Sequence, residues 1–273
     1  MELFCFRKLL GSINIKPSAC NEYKYIMITC TLLGTNGWYS SKTGYTLSIL
    51  IETPDYTIIL DAGDGIHKIT DIKKEISTPA WLFLSHLHLD HISGLHTLAR
   101  LSCRHGLTIC VPKGTKERVK AFIDTPYTIP LTDLSYPVTI QEISQEKMTF
   151  PFSVTTGWLF HSQPTLGYRF DLGKIITFCT DTGPCDMITS LAQDADLFLL
   201  ECSNLPNMEK KGGFHLTPKE AAAYAHATQA KKQVLIHFSA HLYTTKEMRE
   251  TLVRHSIQDP TIIVGQDDMI IKL

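Results

Sequence analysis

The sequence predicts an α/β fold of two mixed β-sheets flanked by helices. Three observations carry this. Short apolar segments of strand character recur along the chain. In the last third, helical segments with clear start signals alternate with them. No internal repeat or low-complexity linker interrupts the series. The 273 residues, 44% hydrophobic and 19% charged with a mean hydropathy of -0.00, hold enough apolar material for one large domain or two small ones. Without a linker, a single domain over residues 25–273 is expected, preceded by an extension, residues 1–24, that lacks periodicity.

Tyr25–Leu33, Thr46–Glu52 and Tyr56–Leu60 read as strands, and the Gly/Ser/Asn-rich stretch Gly34–Gly44 as the loop joining the first two. Ala80–Ser85 (AWLFLS) is a short apolar run suited to a strand buried on both faces. Gly94–His105 reads as a helix, Leu107–Pro112 as a strand and Thr115–Ile123 as a second helix. Strands follow at Val138–Ile143, Phe152–His161, Leu166–Asp171, Lys174–Thr180 and Asp196–Cys202. Thr217-Pro218-Lys219-Glu220 combines a capping-box threonine, a first-turn proline and a glutamate three residues on, which starts a helix running to about Ala230. Strand Gln233–Phe238, helix Lys246–His255 and strands Thr261–Val264 and Met269–Ile271 complete the chain.

Composition excludes several function classes. No apolar run approaches the ~18 residues of a spanning helix. Arg7 and Lys8 interrupt the short apolar N-terminus, which does not read as a signal peptide. Lys plus Arg total 26 against 27 for Asp plus Glu, a net charge of -1, whereas a protein that grips long nucleic acid usually carries a basic excess. The eight cysteines, at 5, 20, 30, 103, 110, 179, 185 and 202, form no CxxC pair, so neither a zinc ribbon nor a disulfide-stapled fold is expected. Buried thiols in a reducing cytoplasm are the simpler reading.

The densest chemical signal is Ser85-His86-Leu87-His88-Leu89-Asp90-His91, directly after a buried strand. Imidazole and carboxylate are the ligands that zinc and similar divalent metals prefer. In an irregular loop, alternate residues can turn inward together, bringing His86 and His88 to one ion and Asp90 and His91 to another. The alternative is a chance cluster of polar loop residues. Buried histidines at this density would then lack partners to offset their desolvation.

HLHLDH at 86–91 resembles the HxHxDH signature of the metallo-β-lactamase superfamily, and further family positions follow the right order. Asp61-Ala62-Gly63-Asp64-Gly65 is similar to the family's aspartate loop, His161 to its third-motif histidine, Asp181 to its metal-bridging aspartate and His237 to its last ligand. The resemblance implies an αβ/βα four-layer sandwich and a pair of divalent ions, zinc with manganese or iron as alternatives. His86, His88 and His161 would hold one ion, Asp90, His91 and His237 the other, with Asp181 between them. Such a pair acidifies water and clamps a negatively charged reacting group.

Three further segments resemble the ribonuclease Z-like phosphodiesterases: Gly213-Phe214-His215-Leu216-Thr217, Leu199-Leu200-Glu201-Cys202, and HSQPTLGYR from His161 to Arg169. In that group the glutamate orients the histidine, which assists the leaving oxygen, so Asp90, Glu201 and His215 are the expected catalytic residues. Two departures narrow the substrate. Asp181 follows His161 by 20 positions, leaving no room for the arm that holds transfer RNA, and the run after His237 lacks the arginine usual in those enzymes. The expectation is therefore hydrolysis of a small phosphodiester, a cyclic nucleotide or cyclic phosphate, with transfer-RNA 3′-end processing as the alternative. RNA is a disfavoured partner, no membrane is involved, and the resemblance implies a homodimer. His67, His96, His105, His226 and His255 read as packing or surface positions, whereas His241 lies close enough to a ligand to reach the pocket. Trp38 and Tyr39 read either as core aromatics, the commoner case, or as a rim that stacks on a base.

Overall fold

The computed structural model describes residues 27–144 and 150–273, and the expected extension over 1–24 lies outside them. In chain order the first strands are β1 (Thr29–Gly34), β2 (Asn36–Gly37), β3 (Ser48–Glu52), β4 (Thr57–Leu60), β5 (Ala80–Phe83), β6 (Leu107–Pro112) and β7 (Val138–Ile143). The rest are β8 (Ser153–Leu159), β9 (Thr165–Asp171), β10 (Ile175–Cys179), β11 (Leu197–Glu201), β12 (Gln233–Ile236), β13 (Phe238–Ser239), β14 (Ile262–Val264) and β15 (Ile270–Lys272). The α-helices are α1 (Ile69–Ile72), α2 (Leu89–Ile92), α3 (Lys116–Phe122), α4 (Asp186–Ala192), α5 (Pro218–Thr228) and α6 (Lys246–Ser256).

Two mixed sheets form the frame, one ordered β15-β1-β3-β4-β5-β6-β7 and the other β14-β12-β11-β10-β9-β8. Strand periodicity sorts side chains between layers. Ile49, Ile51, Ile58, Leu60 and Phe83 of the first sheet pack with Tyr168, Phe178, Leu199 and Ile236 of the second in a core between the sheets. The intervening residues Leu50, Ile59 and Leu82 face outward onto Ile66, Leu95 and Val119. On the other side, Phe198, Leu200 and Leu235 meet Ile188, Ala221 and Val253 of α4, α5 and α6. The result is the four-layer αβ/βα sandwich. No described helix is long and apolar enough to cross a membrane.

Among the features that differ from expectation, two have a plain local cause. The helix expected over Gly94–His105 is a 3-10 run, Ser93–Arg100. Its backbone presses against the preceding loop, where a β-carbon at Gly94 would stand 2.2 Å from the Gly63 carbonyl oxygen. α4 escapes the hydrophobic pattern because it is short, begins on Cys185 without a side-chain cap and contains Thr189 and Ser190. α5, by contrast, begins where expected, with Thr217 and Glu220 forming a reciprocal capping box.

Candidate metal centre

The parallel strands β5, β10, β11 and β12 end on one rim of the sandwich, and each delivers functional groups there. The loop after β5 carries His86 and His88, and α2 carries Asp90 and His91. His161 follows β8, Asp181 follows β10, Glu201 ends β11, and His237 stands between β12 and β13. His215 precedes the capped start of α5. Crevices at the carboxyl ends of strands are the usual sites of α/β folds.

These side chains converge in two main sets, and His215 joins Asp181 and His237 in a third that overlaps them. Ligand atoms of His86, His88, His161 and Asp181 lie within 4.8 Å of one another, as do those of Asp90, His91 and His237. Asp181 faces both. Its Oδ2 is 3.7 Å from His86 Nε2 and 3.5 Å from His161 Nε2, and its Oδ1 is 3.1 Å from His91 Nε2 and 3.0 Å from His237 Nε2. Asp90 Oδ2 completes the second set, 3.2 Å from His237 Nε2 and 3.6 Å from His91 Nε2.

The donor set fits divalent cations. The Nε2 atom of His86 is buried without a hydrogen-bond partner, and His161 Nε2 faces His88 Nδ1 at 3.3 Å. Nitrogens aimed at a common point without protons to share satisfy each other poorly unless a cation lies between them. Burial, with His91 alongside, pulls His86 well below its ordinary pKa and keeps it a neutral donor. Burial also lowers His161. Burial pushes Asp181 up, but His237, His91 and His86 together hold it well below the usual carboxylate range. His91 and His237 do the same for Asp90 against its own burial.

A supporting layer fixes the rings from behind. Asp61, fully buried, accepts from the Ser85 amide at 2.7 Å and the Ser85 hydroxyl at 2.8 Å, and lies 2.7 Å from His91 Nδ1. Ser203 Oγ lies 2.9 Å from His237 Nδ1 and donates to the His237 carbonyl at 2.6 Å. Such partners set tautomer and orientation. Asp61, Asp181 and His237 all sit at left-handed φ, at 54°, 49° and 54°, a strained backbone that concentrates at functional sites. The aspartate motif identified Asp61 in the sequence, but Ser203 carried no signal, being a common residue whose role depends on its fold neighbours.

His215 and Glu201 form a dyad beside both sets. Glu201, fully buried, accepts from the amides of Thr182 at 2.8 Å, Ser203 at 2.9 Å and Leu216 at 3.3 Å, and its Oε1 lies 2.8 Å from His215 Nδ1. Burial opposes the charge on His215, but Glu201 outweighs it and raises the imidazole to about 9. With Nδ1 engaged, Nε2 is the atom His215 has left to offer a substrate. Its ring lies 5.4 Å from that of His161 and 5.9 Å from that of His237.

Trp38 and Tyr39 are exposed, against their reading as core aromatics. Between His161 and Asp181 the chain is taken up by the β9–β10 hairpin, so no arm fits there.

Comparison with known proteins identifies the family and the fold. Residues 56–238 match the family model described as "Beta-lactamase superfamily domain". Ribonuclease Z of Bacillus cereus (strain AH187) is 28% identical over 272 residues, with 76% of this chain and 87% of the relative covered. The metallo-β-lactamase fold protein YhfI from Bacillus subtilis superposes with a TM-score of 0.73 at 16% identity, covering 90% of this chain and 99% of that one. Human tRNase Z, short form, gives 0.68 at 21%, covering 89% and 98%, and a diphosphatase from the PhnP family gives 0.70 at 16%, covering 90% and 98%.

Proposed function

Given that this chain belongs to the metallo-β-lactamase superfamily and is a hydrolase of that fold, we propose that it is a dinuclear metal-dependent phosphodiesterase acting on a small, cyclic phosphodiester. The observation that carries the reading is the Glu201–His215 dyad, its Oε1 and Nδ1 2.8 Å apart and the His215 imidazole raised to about 9, standing beside an aspartate that faces two ligand sets. In this reading His86, His88 and His161 would hold one ion and Asp90, His91 and His237 the second, with Asp181 within reach of either set. Zinc, or manganese or iron in its place, would supply Lewis acidity toward the phosphoryl oxygens and lower the pKa of water.

The chain's own groups do the rest. Asp90, held anionic, accepts a hydrogen bond from the attacking water, orients it toward phosphorus, and takes its proton as the new oxygen–phosphorus bond forms, passing it on to solvent. His215, cationic at neutral pH, gives its Nε2 proton to the ring oxygen as the phosphorus–oxygen bond opens. Glu201, fixed by three backbone amides, keeps the imidazole in place and balances its charge. The product is a phosphomonoester with a free hydroxyl.

A small substrate is favoured by the net charge of -1 and by the short β9–β10 connection. The relatives called Ribonuclease Z favour the second reading, transfer-RNA 3′-end processing. A cytoplasmic homodimer belongs to the same proposal. It rests on the family resemblance and on the cysteines, which among the described residues are all free thiols. Turnover of a substrate panel with Zn²⁺ and Mn²⁺ tests the proposal. Cleavage of 2′,3′- or 3′,5′-cyclic nucleotides and of bis-p-nitrophenyl phosphate, with precursor transfer RNA left intact, is expected. Efficient cleavage of the precursor with cyclic substrates untouched would overturn it.

A further inference from the structure

Three aromatic rings at the mouth of the site have no part in the chemistry above. Trp38 and Tyr39 directly follow β2, are 67% and 43% exposed, and lie with ring centroids 5.6 Å apart. His241, exposed two residues past β13, sets its ring edge-on to Trp38 at 5.8 Å. An indole this exposed leaves much apolar surface in water. It is also held at a backbone cost, because Trp38 has φ 75°, where a bulky side chain is strained.

The candidate site itself holds the rings there. The Trp38 amide donates to Asp90 Oδ2 at 2.6 Å. β2 pairs with β13, so Trp38 and His241 leave a shared two-residue ladder that begins next to His237. The loop beyond is pinned as well: Ser40 donates to Asp64 at 2.5 Å, and Asn36 donates to Ser41, Thr43 and the Gly44 carbonyl. The wall is thus a fixed surface one residue away from Asp90.

We propose that Trp38, Tyr39 and His241 form a stacking wall for the nucleobase of the substrate, so that the enzyme selects cyclic nucleotides over cyclic phosphates lacking a base. The proposal rests on the phosphodiesterase reading above and adds the part of the substrate that the metal centre does not read. An aromatic face accepts any base, so purine and pyrimidine nucleotides are both substrates and the wall contributes little discrimination between them.

Two measurements on the zinc-loaded protein test this. First, tryptophan emission is titrated with AMP and with ribose 5-phosphate. AMP should quench it and the sugar phosphate should not, with the quench lost in Trp38→Phe, which leaves Trp81 and Trp158 as the background. Second, kcat/KM is compared for 2′,3′-cyclic AMP and glycerol 1,2-cyclic phosphate. The ratio should fall about tenfold or more in Trp38→Ala, mainly through KM for the nucleotide, and largely recover in Trp38→Phe. Emission indifferent to AMP, or an unchanged ratio in a folded Trp38→Ala protein, would overturn the wall. A variant that changes only the oligomeric mass would also overturn it, by assigning the rings to a subunit interface. If no phosphodiester is cleaved but AMP still quenches Trp38, the wall stands as a base site and the phosphodiesterase reading fails.

Discussion

A β-carbon placed on Gly37 would stand 2.5 Å from His237 Cε1 and 2.7 Å from its Nε2, so the missing side chain gives this imidazole its room. Gly37→Ala is expected to displace the ring and lower affinity for the second ion about 10- to 100-fold, the range seen when a ligand loses its support. Competition against a chromophoric chelator measures this, and an unchanged affinity would remove His237 from the ligand set. The dyad makes a different demand. His215→Ala removes the group proposed to protonate the leaving oxygen and should lower kcat about 10²- to 10⁴-fold while both ions stay bound. The loss should shrink for a substrate with a p-nitrophenolate leaving group, which needs no proton. An equal loss on both substrates would mean that His215 positions groups instead of transferring a proton.

Between residue and fold stands the β2–β13 ladder, and it depends on one buried guanidinium. Arg249 of α6, fully buried, donates to Asn36 Oδ1 at 2.5 Å, to Thr35 Oγ1 at 3.1 Å and to the Gly265 carbonyl at 3.4 Å, and lies 4.5 Å from the centre of the Phe238 ring. Burial pulls it down to about 10, so it remains charged at neutral pH. Arg249→Ala should destabilise the protein by roughly 3–5 kcal/mol, as loss of one member of a buried charged network does. Arg249→Lys should rescue it poorly, because an ammonium cannot span these acceptors. Denaturant titration of the three proteins checks this. Nothing in the sequence marks Arg249, which lies in a polar helix over two hundred positions from Asn36. The strands were legible because apolar alternation is a local property. The convergence of His86, His161, Asp181 and His237 was implied by the resemblance to the metallo-β-lactamase superfamily, whose motifs stand in order along this chain. The β2–β13 ladder and the Ser203 and Gly37 contacts were illegible because they join segments distant in sequence and use residues of no distinctive type. Gly34–Gly44 read as a loop, which describes most of it, yet Asn36 and Gly37, paired with β13, position Trp38 and flank the candidate ligands.

Over the whole molecule, the site's charge couples metal binding to protons. In the metal-free fold His91 is raised well above its ordinary value. Burial works against its charge, but Asp181, Asp90 and Asp61 outweigh it. His86 is lowered and enters neutral. A folded-state value above the unfolded one means that protonated His91 stabilises the metal-free protein fully below about pH 6.5, and that this support is lost as pH rises through the raised value. His86 acts in the opposite sense: its contribution is present above about pH 6.5 and is lost as pH falls through its depressed value. A cation that takes His91 Nε2 must displace the proton there, so loading at pH 7 should release about one proton per site pair. Zinc titrations by calorimetry in two buffers of different ionisation enthalpy should therefore give different apparent heats. The stabilisation by zinc, read as the rise in Tm over the chelator-treated protein, should grow between pH 6 and pH 8. Asp61→Asn removes one of the carboxylates that hold the His91 proton and should reduce the release. Buffer-independent heats in the wild type would mean that His91 is neutral before metal arrives, and the electrostatic account of the site would fail with it.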